Sequence, residues 1–171
     1  EKNLEFKEIF SLDDIQINTN SFPKKSKEYI RKRYSNHPIY KYRFFGFSQE
    51  KEIKLFFVFR NQKFEDSSCI NIIEIFGQID YNFNYGKHFH DLMINEDLEY
   101  IDCLNFGLSE SFFYKLGFSK KNSSTVIPTY FEPFVKKNIT IDFCTITTRK
   151  DYIIFKGDGD QDRPNFLKNE Y

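Results

Sequence analysis

Residues Glu99–Phe118, EYIDCLNFGLSESFFYKLGF, join an apolar strand to a short aromatic helix that stops on a glycine. Tyr100 to Leu104 is apolar over strand length. Ser109 offers a hydroxyl to cap a helix from Glu110 to Leu116, because an oxygen there accepts a free N–H of the first turn. Gly117 suits the left-handed residue that closes such a helix, with Phe118 folding back onto Phe112 or Phe113 as the apolar partner of the cap.

Working outward, Leu4 to Phe10 supplies a first strand, and Pro23 suits the first turn of a helix running through Lys24 to about Tyr34, ended by His37-Pro38. Tyr40 to Phe47 and Ile53 to Arg60 are aromatic and β-branched runs around the polar Ser48 to Glu52, which predicts an antiparallel hairpin. Lys63 to Ser68 reads as a polar loop and Ile70 to Phe76 as the next strand. Phe89, Leu92 and Met93 recur at helical spacing within Tyr85 to Asn95, where Asn84 can cap the start. Thr125 to Phe131 and Ile139 to Thr147 read as late strands, with Asp151 to Phe155 a short addition. This order predicts an α/β domain in which Ile70 to Phe76 and Leu98 to Leu104 are adjacent, parallel strands joined by the helix between them.

The run Ser109 to Phe118, SESFFYKLGF, resembles the strand-helix segment of the GNAT superfamily of N-acetyltransferases, in which a helix carrying Phe-Tyr ends in Leu-Gly-Phe. The element order over Tyr40 to Thr147 is similar to that of the family from its second strand onward. The resemblance implies a GNAT-like α/β fold: a mixed, mostly antiparallel central sheet with flanking helices. A single domain then spans 1–171, with a strand and helix segment to residue 39, the sheet core over 40–155 and a polar tail over 156–171. Acetyl-CoA is the implied donor. Gln78 matches the first position of the family's pyrophosphate turn, and Gly86 flanks that turn. Tyr114 stands where the family's tyrosine protonates the leaving thiolate, and Glu74 where several members carry the base that deprotonates the amine.

The turn itself departs from the pattern. Tyr81 and Phe83 replace the small residues that let backbone N–H groups reach phosphate, and Asp80 adds repulsion. Weak acetyl-CoA binding is the expectation that follows.

Each site residue also has a plainer reading. Phe112, Phe113 and Tyr114 can simply pack a helix on a sheet. Strand alternation can turn Glu74 to a solvated face, whereas burial between Ile73 and Ile75 raises its pKa toward that of a base. His88 and His90 are two apart and point to different sides of a helix, and His37 precedes a proline, so no metal site is expected. Cys69, Cys103 and Cys144 lie in apolar runs without a Cys-x-x-Cys pair and read as buried small hydrophobes in a reducing cytoplasm.

The tail Lys156-Gly157-Asp158-Gly159-Asp160-Gln161-Asp162-Arg163 copies the first acidic positions of a calcium loop, but Arg163 replaces its glycine and Asn169 its last glutamate. It reads either as an exposed polar terminus or as a segment folding back over the sheet to meet a polar acceptor. It resembles tails of GNAT-like proteins associated with bacterial surface-polysaccharide synthesis, which implies an amine or nucleotide-sugar acceptor.

Charge is balanced, with 25 basic and 25 acidic residues among 171, so no global field recruits nucleic acid or an anionic membrane. The 22 Phe and 11 Tyr, with no Trp and no Ala, read as an AT-rich bacterial coding sequence in which ring clusters need no cofactor. No apolar run reaches the length of a membrane span, and the N-terminus lacks a signal-peptide core, so the reading is a soluble cytoplasmic protein. The opening on Glu1 suggests a fragment of a longer chain with a partner domain before it, or a homodimer. The functional expectation is acyl-CoA-dependent N-acyl transfer to an amine, with an amino sugar for surface polysaccharide as the acceptor the resemblance implies. The alternative is a non-catalytic GNAT-like binding or scaffold domain that has lost the pyrophosphate loop.

Overall fold

The computed structural model describes residues 4–13, 15, 22–50, 52–77, 84–120, 122, 124, 126, 138 and 144–159. Five strands form one sheet in the order β1 (Glu5–Glu8), β2 (Arg43–Gln49), β3 (Glu52–Phe64), β4 (Ser67–Gly77), β5 (Tyr100–Cys103). Pairs from β1 to β4 are antiparallel; β4 and β5 are parallel and joined through α2 (Gly86–Asn95), as the sequence predicts. A second ribbon pairs β6 (Asn105–Phe106) with β7 (Ile154–Phe155).

Alternation along β3 sorts the core into two layers. Leu55, Phe57 and Phe59 face α2 and α3 (Glu110–Lys115), packing with Phe89, Leu92, Phe112 and Leu116. Phe56 and Val58 face the opposite way, onto Ile9, Leu12, Ile30 and Tyr34. The second layer is covered by α1 (Lys27–Ile30), which continues as a π turn over Arg31–Ser35. With both faces covered, β4 is buried from Cys69 to Phe76. A half-solvated face for Glu74 therefore does not exist, and that expectation is corrected.

Local chemistry sets most boundaries. Ser109 accepts from the Phe112 N–H at 3.3 Å and starts α3. At its end Gly117 has φ +84°, its N–H donates to the Tyr114 carbonyl and that of Phe118 to the Phe113 carbonyl at 2.9 Å. The Phe113 and Phe118 rings meet at 5.9 Å, completing a Schellman cap.

Elsewhere the boundaries move. Helix α1 starts after Ser26, which accepts from the Tyr29 N–H, and not at Pro23. Lys24 to Ser26 are left outside the helix. Tyr85, not Asn84, is the N-cap of α2, although the Asn84 side chain accepts from the Gly86 N–H. The loop expected over Lys63 to Ser68 shrinks to Glu65 and Asp66, because β3 and β4 keep pairing as far as Phe64 and Ser67; Glu65 takes φ +52°. Cys69 is buried, but Cys144 is exposed, which corrects its expected burial. The strands expected at Thr125 to Phe131 and Ile139 to Thr147 lie largely outside the described residues; residues 144–147 are described and form no strand. Among the described residues no helix is long and apolar enough to cross a membrane.

Phe57 is fully buried and touches the rings of Phe6, Phe47, Phe59 and Phe89. Chemical denaturation of Phe57→Ala is expected to show a loss of about 3–5 kcal/mol. Phe64→Ala, at an exposed ring, should stay within about 0.5 kcal/mol of the parent.

Candidate functional site

The site begins with an irregularity in β4. Val58 pairs with Glu74 and Phe59 with Ile72, so Ile73 has no counterpart on β3. A bulge of this kind shifts the alternation by one residue and re-aims the side chains after it. Glu74 consequently shares the Phe56, Val58, Ile73 and Phe76 face, and its side chain is fully buried there.

Two other segments bring charge to Glu74. The extended stretch before the Ser26 cap carries Lys25, whose ammonium pairs with Glu74 Oε1 and, at 2.7 Å, with Asp158 Oδ1. The side chains of Lys25 and Asp158 are only 7% and 15% exposed. Asp158 sits in a single 3₁₀ turn (Lys156–Asp158), and its other oxygen accepts from the Phe155 N–H at 2.9 Å. Arg33 donates to the carbonyls of Gly157 and Gly159 at 3.2 and 3.4 Å. Gly157 lies so close to the site that a Cβ there would meet Tyr34 Oη at 2.1 Å and Glu74 Oε1 at 2.9 Å.

Burial pushes Glu74 up to about 7 against the pull of Lys25. Burial pushes Lys25 down, but the charges of Glu74 and Asp158 outweigh it and hold the ammonium above its usual range. Burial and the Glu74 charge drive the Tyr34 hydroxyl far upward, so it stays a phenol. Tyr34 also approaches Glu74 closely enough to draw its pKa down, yet among the described residues neither Tyr34 Oη nor Glu74 Oε2 completes a well-formed hydrogen bond. Two polar atoms left without partners under cover are costly, and they mark this spot as unlike an ordinary core.

A second polar group lies on the same face. Asn71 donates to Asp102 at 2.7 Å, its register partner on β5, and accepts from Gln62 at 3.2 Å. Lys156, 2% exposed, interacts electrostatically with Asp102; burial raises the pKa of the acid and lowers that of the amine.

The β4–β5 pairing stops between these two groups, where β5 ends. The β4–β5 ladder ends at Ile72 and Cys103, while β4 runs on to Gly77. Beyond the ladder, β7 and the 3₁₀ turn are the elements that contact β4. A cavity of about 580 Å³ lies toward the β1–β2 end of the same face, and Tyr34 is part of its wall beside Leu12, His37 and Tyr42. His37 is held with Nδ1 accepting from the N–H groups of Ile39 and Tyr40, and burial lowers its pKa.

The expected site residues are distributed as follows. Glu74 is at the centre of the cluster. Tyr114 is 57% exposed on α3, which packs on the opposite face, so the two are not brought together. Gly86 sits at the start of α2, where a Cβ would lie 3.3 Å from the Gly117 backbone, and Tyr85 N–H bonds the Lys115 carbonyl; the glycine thus joins the start of α2 to the end of α3. Gln78, with the turn through Phe83, lies outside the described residues. His88 packs against Phe6 and Phe47, and no group of three His, Cys, Asp or Glu able to hold a metal occurs among the described residues. Lys25, Arg33 and Tyr34 carry no motif that singles them out, whereas Asp158 lies in the acid-rich tail. Of Asp158 to Arg163, expected to fold back over the sheet toward a polar acceptor, Asp158 and Gly159 are described and Asp158 meets Lys25, while residues 160–163 lie outside the described residues; Lys156, just before them, faces Asp102.

Neither a protein-family model, nor a curated protein, nor a solved structure matches this chain.

Because its folded pKa lies above the unfolded value of 4.5, Glu74 binds a proton more readily in the native state. Its contribution is present below about pH 4.5 and is lost as pH rises to about 7. At about 1.4 kcal/mol per unit the loss is about 3 kcal/mol. Denaturant titrations from pH 4.5 to 7.5 should show the wild type losing this much relative to Glu74→Gln, a comparison that cancels the separate pair Asp102 and Lys156. Parallel curves would remove Glu74 as a buried acid.

Proposed function

We propose that this chain is a GNAT-like domain that transfers an acyl group from a CoA thioester to an amine. The observation that carries the reading is the end of the parallel β4–β5 pairing beside a bulged, buried Glu74. Crevices at the carboxyl ends of parallel strands are where α/β sheets bind ligands, and a strand edge without its neighbour has N–H groups to offer an acyl oxygen. A carboxyl with a pKa near 7 can accept a proton from an amine and release it again at neutral pH.

In this reading the acyl donor enters beyond the last pair, Ile72–Cys103, with Gln78 and the start of α2 at Gly86 toward its phosphates. The amine approaches on the Tyr34 side, from the cavity that Tyr34 helps to wall. Its nitrogen attacks the thioester carbonyl, Glu74 takes the amine proton, and the thiolate leaves. Tyr114 can protonate that sulfur only if the donor passes the end of that pairing, since α3 lies on the far face. An amino sugar destined for a surface polysaccharide in a bacterial cytoplasm is the acceptor that the tail resemblance favours.

The second reading is a GNAT-like domain that binds without catalysis. It is favoured by the ammonium of Lys25 on Glu74 and by the separation of Glu74 from Tyr114.

Transfer is read as thiol released from acetyl-CoA in the presence of amino-sugar acceptors. Glu74→Gln should lower turnover by about 10²- to 10⁴-fold, and Tyr114→Phe should lower it while leaving the fold intact. If both variants stay within a factor of about two of the parent, neither residue has the assigned role. An inactive wild type across the acceptors favours the binding domain.

A further inference from the structure

The 3₁₀ turn lies over Glu74 just after Phe155, which is paired with Asn105 and buried in the core, and side chains from outside the sheet hold it there. Lys25 bridges Glu74 to Asp158, Arg33 holds two carbonyls of the turn, and Ile153 N–H bonds the Phe22 carbonyl at 2.7 Å. The Lys25 ammonium stands on Glu74 where the nitrogen of a primary amine would stand. The backbone of Gly157 closes over Tyr34 Oη and Glu74 Oε1, and Tyr34 Oη and Glu74 Oε2 have no hydrogen-bond partner among the described residues. An unpaired carboxylate oxygen and a phenol, covered by a segment without a side chain at its closest point, form an occupied amine site with its lid in place.

We infer that residues 156–159 are a strap over Glu74, latched through Lys25 and Asp158, and that its release, with Lys25 withdrawing from Glu74, uncovers a site for a primary ammonium group. The inference rests on the acyl-transfer reading for the role of the amine, but the strap itself stands on the geometry alone. Asp158 is the latch residue that can be changed most cleanly, because asparagine keeps an oxygen for the Phe155 N–H and removes the charge that holds Lys25. Gly157→Ala opens the strap by a different route, by placing a methyl group where Tyr34 and Glu74 leave no space.

Two measurements on the full chain test this. Hydrogen exchange followed by mass spectrometry should show the amides of residues 156–159 exchanging at least about 10-fold faster in Asp158→Asn and in Gly157→Ala, with β3 and α2 unchanged. Water-soluble carbodiimide with glycine ethyl ester as the amine probe should label Glu74 in both variants and leave it unlabelled in the wild type. Unchanged exchange in both variants would overturn the latch, and so would loss of protection spread over the whole sheet, which would make the segment core. Glu74 labelled equally in wild type and variants would overturn the cover. Faster exchange and labelling in variants that do not transfer from acetyl-CoA would uphold the strap and remove the acyl-transfer reading.

Discussion

One extra residue in β4 sets the polar architecture. Without Ile73 unpaired opposite Val58 and Phe59, strict alternation would turn Glu74 toward the Phe57 and Phe59 layer, among rings from α2 and α3 with no cation to meet it. With the bulge, Glu74 joins the face on which Lys25, Tyr34 and Asp158 converge. The same bulge lies just beyond the last β4–β5 pair, so the change of face and the end of that pairing occur at one place.

Burying this carboxyl is expensive, and the surroundings offset only part of the cost. Ion pairs out of water lose hydration that their mutual attraction repays only with good geometry and satisfied lone pairs. Lys25 satisfies one oxygen of Glu74, and the other has no hydrogen-bond partner among the described residues. The hydrophobic layers on both sides of β3, rich in fully buried rings, are what the fold has to set against that deficit. A core that held Glu74 for stability alone would gain by replacing it with an apolar residue.

The α/β class and the parallel β4–β5 pair were legible because runs such as Ile70 to Phe76 and spacings such as Phe89, Leu92 are set by burial, which leaves a periodic trace. The cap at Ser109 and Gly117 was legible for a second reason: only a few residue types can make those hydrogen bonds. The bulge was not legible, since Ile73 is as apolar as its neighbours and nothing in the sequence shows which residue goes unpaired. Lys25 was hidden in a basic stretch that reads as the outer face of a helix, and it reaches Glu74 only because the helix begins after Ser26. Asp158 drew attention as part of an acidic tail, but its partners are more than eighty residues away in sequence, and ion pairs of that separation have no local signature.

The cluster therefore ties the first helix, the central strand and the C-terminal turn through a single carboxyl group whose protonation is set by burial. The most direct measurement is a ¹³C nuclear magnetic resonance titration of the Glu74 side-chain carboxyl, assigned by comparison with Glu74→Gln. A midpoint of about 7 is the expected result. A midpoint near the ordinary 4.5 would show that Lys25 offsets the whole cost of burial, leaving Glu74 the ionised partner of Lys25 and not a base poised at neutral pH.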